Sequence, residues 1–108
     1  MQNLKTVFLA FKASYISARE TINEKLNGTK ITAEQWVVLD SITPGIHCAE
    51  LSKLSGLLVP SLSRMLKPLE EDGLIKISAD KEDARYKKIY LTAKGQKLLD
   101  KIQKRASA

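Results

Sequence analysis

Cysteine occurs once in this chain, at Cys48, and histidine once, at His47. A single cysteine excludes an intramolecular disulfide framework and a Cys-rich zinc site, and one histidine leaves no His/Cys metal cluster. Any nucleophile–base–orienter arrangement would have to pass through that one imidazole, and no other residue pattern supports one. No metal, no cofactor and no enzymatic activity are expected. Long apolar runs are also missing: nothing approaches the roughly 18 consecutive apolar residues of a membrane span. The opening MQNLKTVFLAFKAS has apolar residues at helical spacing and no convincing cleavage site, so it reads as helix and not as signal peptide. The expected location is cytoplasmic, with no membrane association. There are no internal repeats and no low-complexity linker, and 108 residues leave room for one domain, taken as 1–108.

What is present is ordinary in amount, with 44% hydrophobic and 28% charged residues, but uneven in distribution. The net charge of +6 points weakly toward a polyanion. Residues 31–58 carry Lys53 against Glu34, Asp40 and Glu50, a net −2. Residues 92–108 carry Lys94, Lys97, Lys101, Lys104 and Arg105 against Asp100, a net +4.

Between Leu4 and about Leu26, the residues Leu4, Phe8, Phe11, Tyr15, Ala18 and Ile22 recur at spacings of 4 and 3. That is a heptad-like seam on one long helix, stopped at Asn27-Gly28. Val7 and Leu9 add apolar surface beyond the seam, which leaves room for a second partner. Thr32-Ala33-Glu34-Gln35 is a capping box that opens a second helix holding Trp36, Val37, Leu39 and Ile42, ended by Pro44-Gly45. A third helix is expected from about Cys48 to Ser55, with Leu51 and Leu54 inward, broken by Gly56. The fourth starts near Val59, with Pro60 in its first turn, and ends at Asp72-Gly73. Its apolar side is Leu62, Met65, Leu66 and Leu69. Leu74–Ile77 and Lys88–Leu91 flank a charged segment and read as a β-hairpin. Thr92 caps a final helix with Leu98, Leu99 and Ile102.

The order of these elements carries more than any single residue. Two short helices joined by a tight turn make a helix-turn-helix whose second helix suits the DNA major groove. The hairpin that follows is placed as a wing. The fold class expected is mainly α with a small β-hairpin, a winged helix-turn-helix.

Three segments carry a family likeness: ITAEQWVVLDSI, AELSKLSGLLVPSLSRMLKPLEEDGLI and DKEDARYKKIYLTAKG, together covering roughly residues 31–95. With Asp83-Ala84-Arg85 followed by Leu91-Thr92 and Gly95, the chain resembles the multiple-antibiotic-resistance regulator (MarR) family. The resemblance implies a homodimeric transcriptional regulator, repressor or activator, that binds palindromic double-stranded DNA and responds to a small aromatic or phenolic effector. It also implies that Arg85 enters the minor groove from the wing tip while Asp83 supports the wing. The match departs from the family at three points. The final helix is short, so residues 1–28 are expected to supply most of a dimer interface and residues 92–108 a smaller part. Pro68 interrupts the recognition helix and should bend or open it near Arg64. Ala84 stands where many relatives carry another basic residue.

The expected DNA-binding residues are Ser61, Ser63, Arg64 and Lys67 on the recognition helix and Lys81, Arg85 and Lys87 on the wing. Serine bonds base edges or phosphates, arginine favours bidentate contact with guanine, and lysine meets phosphate. Lys88 is a phosphate contact or a solubilising charge. Against these stand plainer readings: a solvated helix face, ordinary hairpin charges, and a winged-helix protein-association module without specific DNA binding. Trp36 is expected in the core rather than as a ligand platform, and Tyr15 in the seam rather than in a pocket beside the DNA-binding lobe. His47 is expected as a polar cap for the third helix, and Cys48 as a small buried hydrophobe rather than a peroxide sensor.

Overall fold

The computed structural model describes residues 3–107. Five helices and three short strands follow in the order α1 (Leu4–Lys25), α2 (Ala33–Ser41), β1 (Ile46–His47), α3 (Cys48–Ser55), α4 (Val59–Glu71), β2 (Ile75–Ala79), β3 (Lys87–Leu91) and α5 (Ala93–Ser107). The winged helix-turn-helix expected from the sequence is present, with one element more: β1 turns the hairpin into a three-stranded antiparallel sheet of order β1-β3-β2. Ile89 is its middle residue, opposite Ile46 on one side and Ile77 on the other.

Local chemistry accounts for the helix ends. The Asn3 side chain accepts the Lys5 and Thr6 amides at the head of α1. Thr32 and Gln35 exchange both bonds of the capping box at 2.9 and 3.2 Å. Thr92 Oγ1 accepts the Gly95 amide and donates to the Gly73 carbonyl, so one hydroxyl starts α5 and ties it to the end of α4. Two details differ from expectation. Ile42 is not helical but the extended cap of α2, because Pro44-Gly45 turns the chain earlier. Helix α4 runs uninterrupted through Pro68, and the Pro68 carbonyl accepts the Asp72 amide at 3.0 Å.

The core lies between α2, α3, α4, the sheet and α5. Val38, Leu39, Leu51, Leu62 and Leu69 are wholly buried, with Ile75, Ile89 and Ile102 nearly so. Trp36 packs against this core half-buried, as do Met65, Leu98 and Leu99. Leu54, expected inward, is instead 61% exposed, since the eight residues of α3 turn only Leu51 fully into the core.

Helix α1 is the exception to this compact arrangement. It spans 22 residues, about 33 Å at 1.5 Å per residue, and buries none of them. It meets the body through α2 and α5. There Arg105 Nη1 donates to the Lys25 and Asn27 carbonyls, at 3.2 and 2.6 Å, and fixes the helix's C-terminal end. The N-terminal part of the proposed seam is therefore exposed: Leu4, Phe8, Phe11 and Tyr15 are all more than half exposed, whereas Ile22 packs on the core. The apolar stripe of α5 goes the other way. Leu98, Leu99 and Ile102 face the chain's own core.

Candidate nucleic-acid interface

Helices α3 and α4 meet across Gly56, whose φ of +76° is the left-handed turn that glycine adopts without steric cost. The Ser52 hydroxyl donates across that turn to the Leu57 carbonyl. Leu58 precedes α4 without a side-chain cap, and Pro60 has no amide to satisfy, so the leading end of α4 is open to solvent. Open amides and the positive end of the helix dipole favour an anion there.

Leu62, Leu66 and Leu69 anchor α4 in the core, while Ser61, Ser63, Arg64 and Lys67 are all exposed. They divide between two flanks. Ser63 and Lys67 line a cleft of about 560 Å³ together with Arg85, Tyr86 and Lys87 of the wing and Cys48 of α3. Ser61 and Arg64 lie on the other flank, beside Thr32 and Gln35 at the head of α2. The Glu70 carboxylate accepts the Ile77 amide at 3.0 Å and ties α4 to the wing's first strand.

Asp83 bonds to Arg85 at the wing tip. It accepts Arg85 Nε at 3.0 Å and Nη2 at 2.8 Å, with the Arg85 backbone amide at 3.1 Å. Those bonds hold the Asp83 carboxyl below its ordinary range and the guanidinium above its own. Arg85 is highly exposed, and Lys81 and Lys87 are exposed. Lys88 is half-buried, opposite His47 in the β1–β3 ladder.

His47 does not act as a cap. Its backbone has cap geometry, but the imidazole makes no bond to α3 and lies 3.1 Å from Asp80. Cys48 is half-buried and packs on the core. Sequence reasoning missed Asp80, which is distant along the chain from its partner, and also the exposed apolar residues Leu58 and Val59 at the leading end of α4. An unburied leucine–valine pair ahead of the Ser-Leu-Ser-Arg run was the available signal for the latter, since apolar side chains can meet thymine methyl groups.

A second cleft, about 350 Å³, opens between α1, α2 and the α3–α4 turn. Tyr15, expected to be buried in the seam, stands on its wall instead. The tyrosine hydroxyl donates to Glu34 Oε1 at 2.6 Å, and Arg19 Nε lies 3.3 Å from the same oxygen. The hydrogen bond from Tyr15 is the main reason the Glu34 carboxyl is held below its usual range. Ala18, Ile22, Val37 and Leu57 complete the apolar part of the wall.

Among the described residues no three His, Cys, Asp or Glu side chains gather as metal ligands, and no helix is long and apolar enough to cross a membrane.

The MarR family profile matches residues 31–87. The chain is 27% identical to the transcriptional repressor CouR bound to a 23-mer DNA duplex, covering 92% of this chain and 71% of that one, with a TM-score of 0.84. A cysteine-to-serine mutant of E. coli MarR complexed with operator DNA is 26% identical, over 95% of this chain and 78% of that one, with a TM-score of 0.81. The S. aureus MepR–DNA complex is also 26% identical, over 92% and 83%, with a TM-score of 0.74.

Proposed function

The chain belongs to the MarR family and is a DNA-binding transcriptional regulator, and on that premise we propose that it binds a palindromic operator as a cytoplasmic homodimer. In this reading α4 enters the major groove and the wing reaches the adjacent minor groove. The observation that carries it is the shared cleft, where Ser63 and Lys67 of α4 face Arg85 and Lys87 of the wing. Two basic elements lining one cleft can follow the backbone of a duplex, whereas a protein-association surface has no need of that pairing.

Within this interface Arg64 reads a base, Ser61 and Ser63 contact base edges or phosphate, and Lys67, Lys81 and Lys87 contact phosphate. Arg85 enters the minor groove, released from Asp83 or still held by it. The cleft at Tyr15 supports an effector site for a small aromatic ligand. It combines apolar walls with a fixed Tyr–Glu–Arg cluster, and it sits where α1 meets the helix-turn-helix. A ligand there would alter the angle between the two.

Selection from a random duplex pool, repeated at two salt concentrations, tests the reading. A palindrome is expected, with affinity falling steeply as salt rises. Arg64→Ala should cost roughly 1–3 kcal/mol at the cognate base and relax preference there. Arg85→Ala should weaken binding to all sequences, most at A·T-rich flanks where the minor groove is narrow. No enriched motif, with binding insensitive to salt, would favour the protein-association module.

A further inference from the structure

Asp80 is the one charged side chain buried among the described residues, and it lies where β2 passes into the wing loop. Its Oδ1 accepts the Glu82 amide at 2.9 Å, and its own amide donates to the Tyr86 carbonyl at 2.9 Å, closing the loop upon itself. Its Oδ2 lies 3.1 Å from Nε2 of His47, 33 residues earlier in the chain. The Tyr86 ring stacks on that imidazole, with centroids 5.5 Å apart and planes 19° from parallel. The Arg85 guanidinium lies 5.9 Å from the centre of the same tyrosine ring. These contacts form one connected column from β1 to the wing tip. His47 enters it at the expense of capping α3, a position where Ser, Thr, Asp or Asn would serve better. A residue that breaks a local rule in this way marks a functional constraint.

We propose that His47, Asp80 and Tyr86 are positioning residues for the wing: they hold Arg85 where it enters DNA, and protonation of His47 tightens the hold, so that DNA affinity rises as pH falls. The proposal deepens the DNA-binding reading and rests on it. The groups around the imidazole are Asp80, Lys88 opposite it in the ladder, and Tyr86 on its face with Arg85 beyond; Glu50 is the acidic residue of the first turn of α3, three positions along the chain. The Glu82 amide above all, then Lys88 and His47, hold the Asp80 carboxyl below its ordinary range. It is thus ionised wherever histidines titrate. With Asp80 already ionised, a proton on the imidazole adds the opposite charge and turns the hydrogen bond into an ion pair. His47 is the only histidine, and histidine is the side chain whose ordinary titration falls between about pH 5 and 8.

The test is a fluorescence-anisotropy titration against a duplex selected by the wild type, at constant salt and at about pH 5.5 and 7.5. The variants are His47→Gln, Asp80→Asn, Tyr86→Leu and Tyr86→Phe, alone and combined with Arg85→Ala. The wild type should bind several-fold tighter at the lower pH. His47→Gln and Asp80→Asn should each lose roughly fivefold, the worth of one hydrogen bond, and flatten the pH profile. Tyr86→Leu should weaken binding, and Tyr86→Phe should restore most of that loss, because the stack needs the ring and not the hydroxyl. In the Arg85→Ala background none of these should cost more, since they act through that side chain. Wild-type affinity and pH slope in His47→Gln would overturn the proposal, as would equal losses with and without Arg85. A pH slope that survives in Asp80→Asn would reduce His47 to a general surface charge and would also overturn it. If His47→Gln melts early, the exposed Tyr86 pair still decides the matter. A wild type that selects no DNA would sink the DNA-binding reading itself, and that result comes before any variant is measured.

Discussion

Tyr15 joins α1 to α2 through a single hydrogen bond to Glu34, and that bond makes the junction sensitive to acid. The Glu34 carboxyl lies below its ordinary range, mainly because of the Tyr15 hydroxyl. A carboxyl depressed by folding adds stability that is present above its unfolded pKa and is lost as pH falls through the folded value. Tyr15→Phe removes the main cause, so its acid transition should begin at higher pH than that of the wild type. Trp36, the only tryptophan, lies on α2 two residues beyond Glu34 and reports the change by its fluorescence. Identical acid midpoints would mean that the hydroxyl does not hold the junction. The contrast with Asp83 shows which contacts a sequence discloses. Asp83 and Arg85 are two residues apart, and a supporting role for Asp83 was implied by the family likeness of the Asp-x-Arg element. His47 and Asp80 are brought together only by the β1–β3–β2 sheet, so His47 read as a cap. Tyr15 read as a buried seam residue because the seam's spacing is regular, but among the described residues it is left 55% exposed.

At the scale of elements, helices were legible wherever a start signal, a glycine stop and an apolar period agreed: a capping box in α2, a first-turn proline in α4. Strand β1 was not, because two residues show no alternation; it exists because Ile46 pairs with Ile89. Gly95 is buried in the first turn of α5. Sequence spacing placed it in the family pattern but gave no reason for a glycine inside a helix. The structure supplies one: a Cβ on Gly95 would run into the Leu74 carbonyl oxygen and crowd Leu91 Cδ1 at 2.8 Å. The Leu74 carbonyl also accepts the Thr92 amide at 3.1 Å, so it cannot move aside without loosening the start of α5. Alanine in a helix ordinarily gains up to about 1 kcal/mol over glycine. Overpacking against backbone costs about 1–3 kcal/mol, and here it should win. Gly95→Ala is therefore expected to lower Tm by several degrees in a circular-dichroism melt. A raised Tm would show that α5 shifts freely from the sheet.

Across the whole molecule, the unanswered demand is for a partner on α1. A regulator reading a palindrome must hold two recognition helices about 34 Å apart, one turn of DNA, in fixed register. The apolar face of α5 cannot supply that rigidity, because Leu98, Leu99 and Ile102 are already packed in the chain's own core. Helix α1 presents Leu4, Phe8 and Phe11 at 77%, 67% and 73% exposure, with Leu9 and Ile16 nearly half exposed. Val7, which seemed free in the sequence, is half-buried. Aromatic surface of this extent is costly to leave in water on a monomer. Phe8 and Phe11 contribute nothing to the core, so replacing both by Glu should leave the thermal transition of the domain in place. In the proposed two-fold contact it should also bring like charges together, because the same patch of both copies meets there. The double variant is expected to sediment as a folded monomer at micromolar concentration where the wild type is a dimer. Its binding to a full palindrome should drop far more than its binding to a half-site, because only the former gains from two linked lobes. Equal losses on both duplexes would mean that α1 supports the single lobe instead. A wild type that sediments as a monomer yet binds the palindrome fully would require the DNA to bring the lobes together.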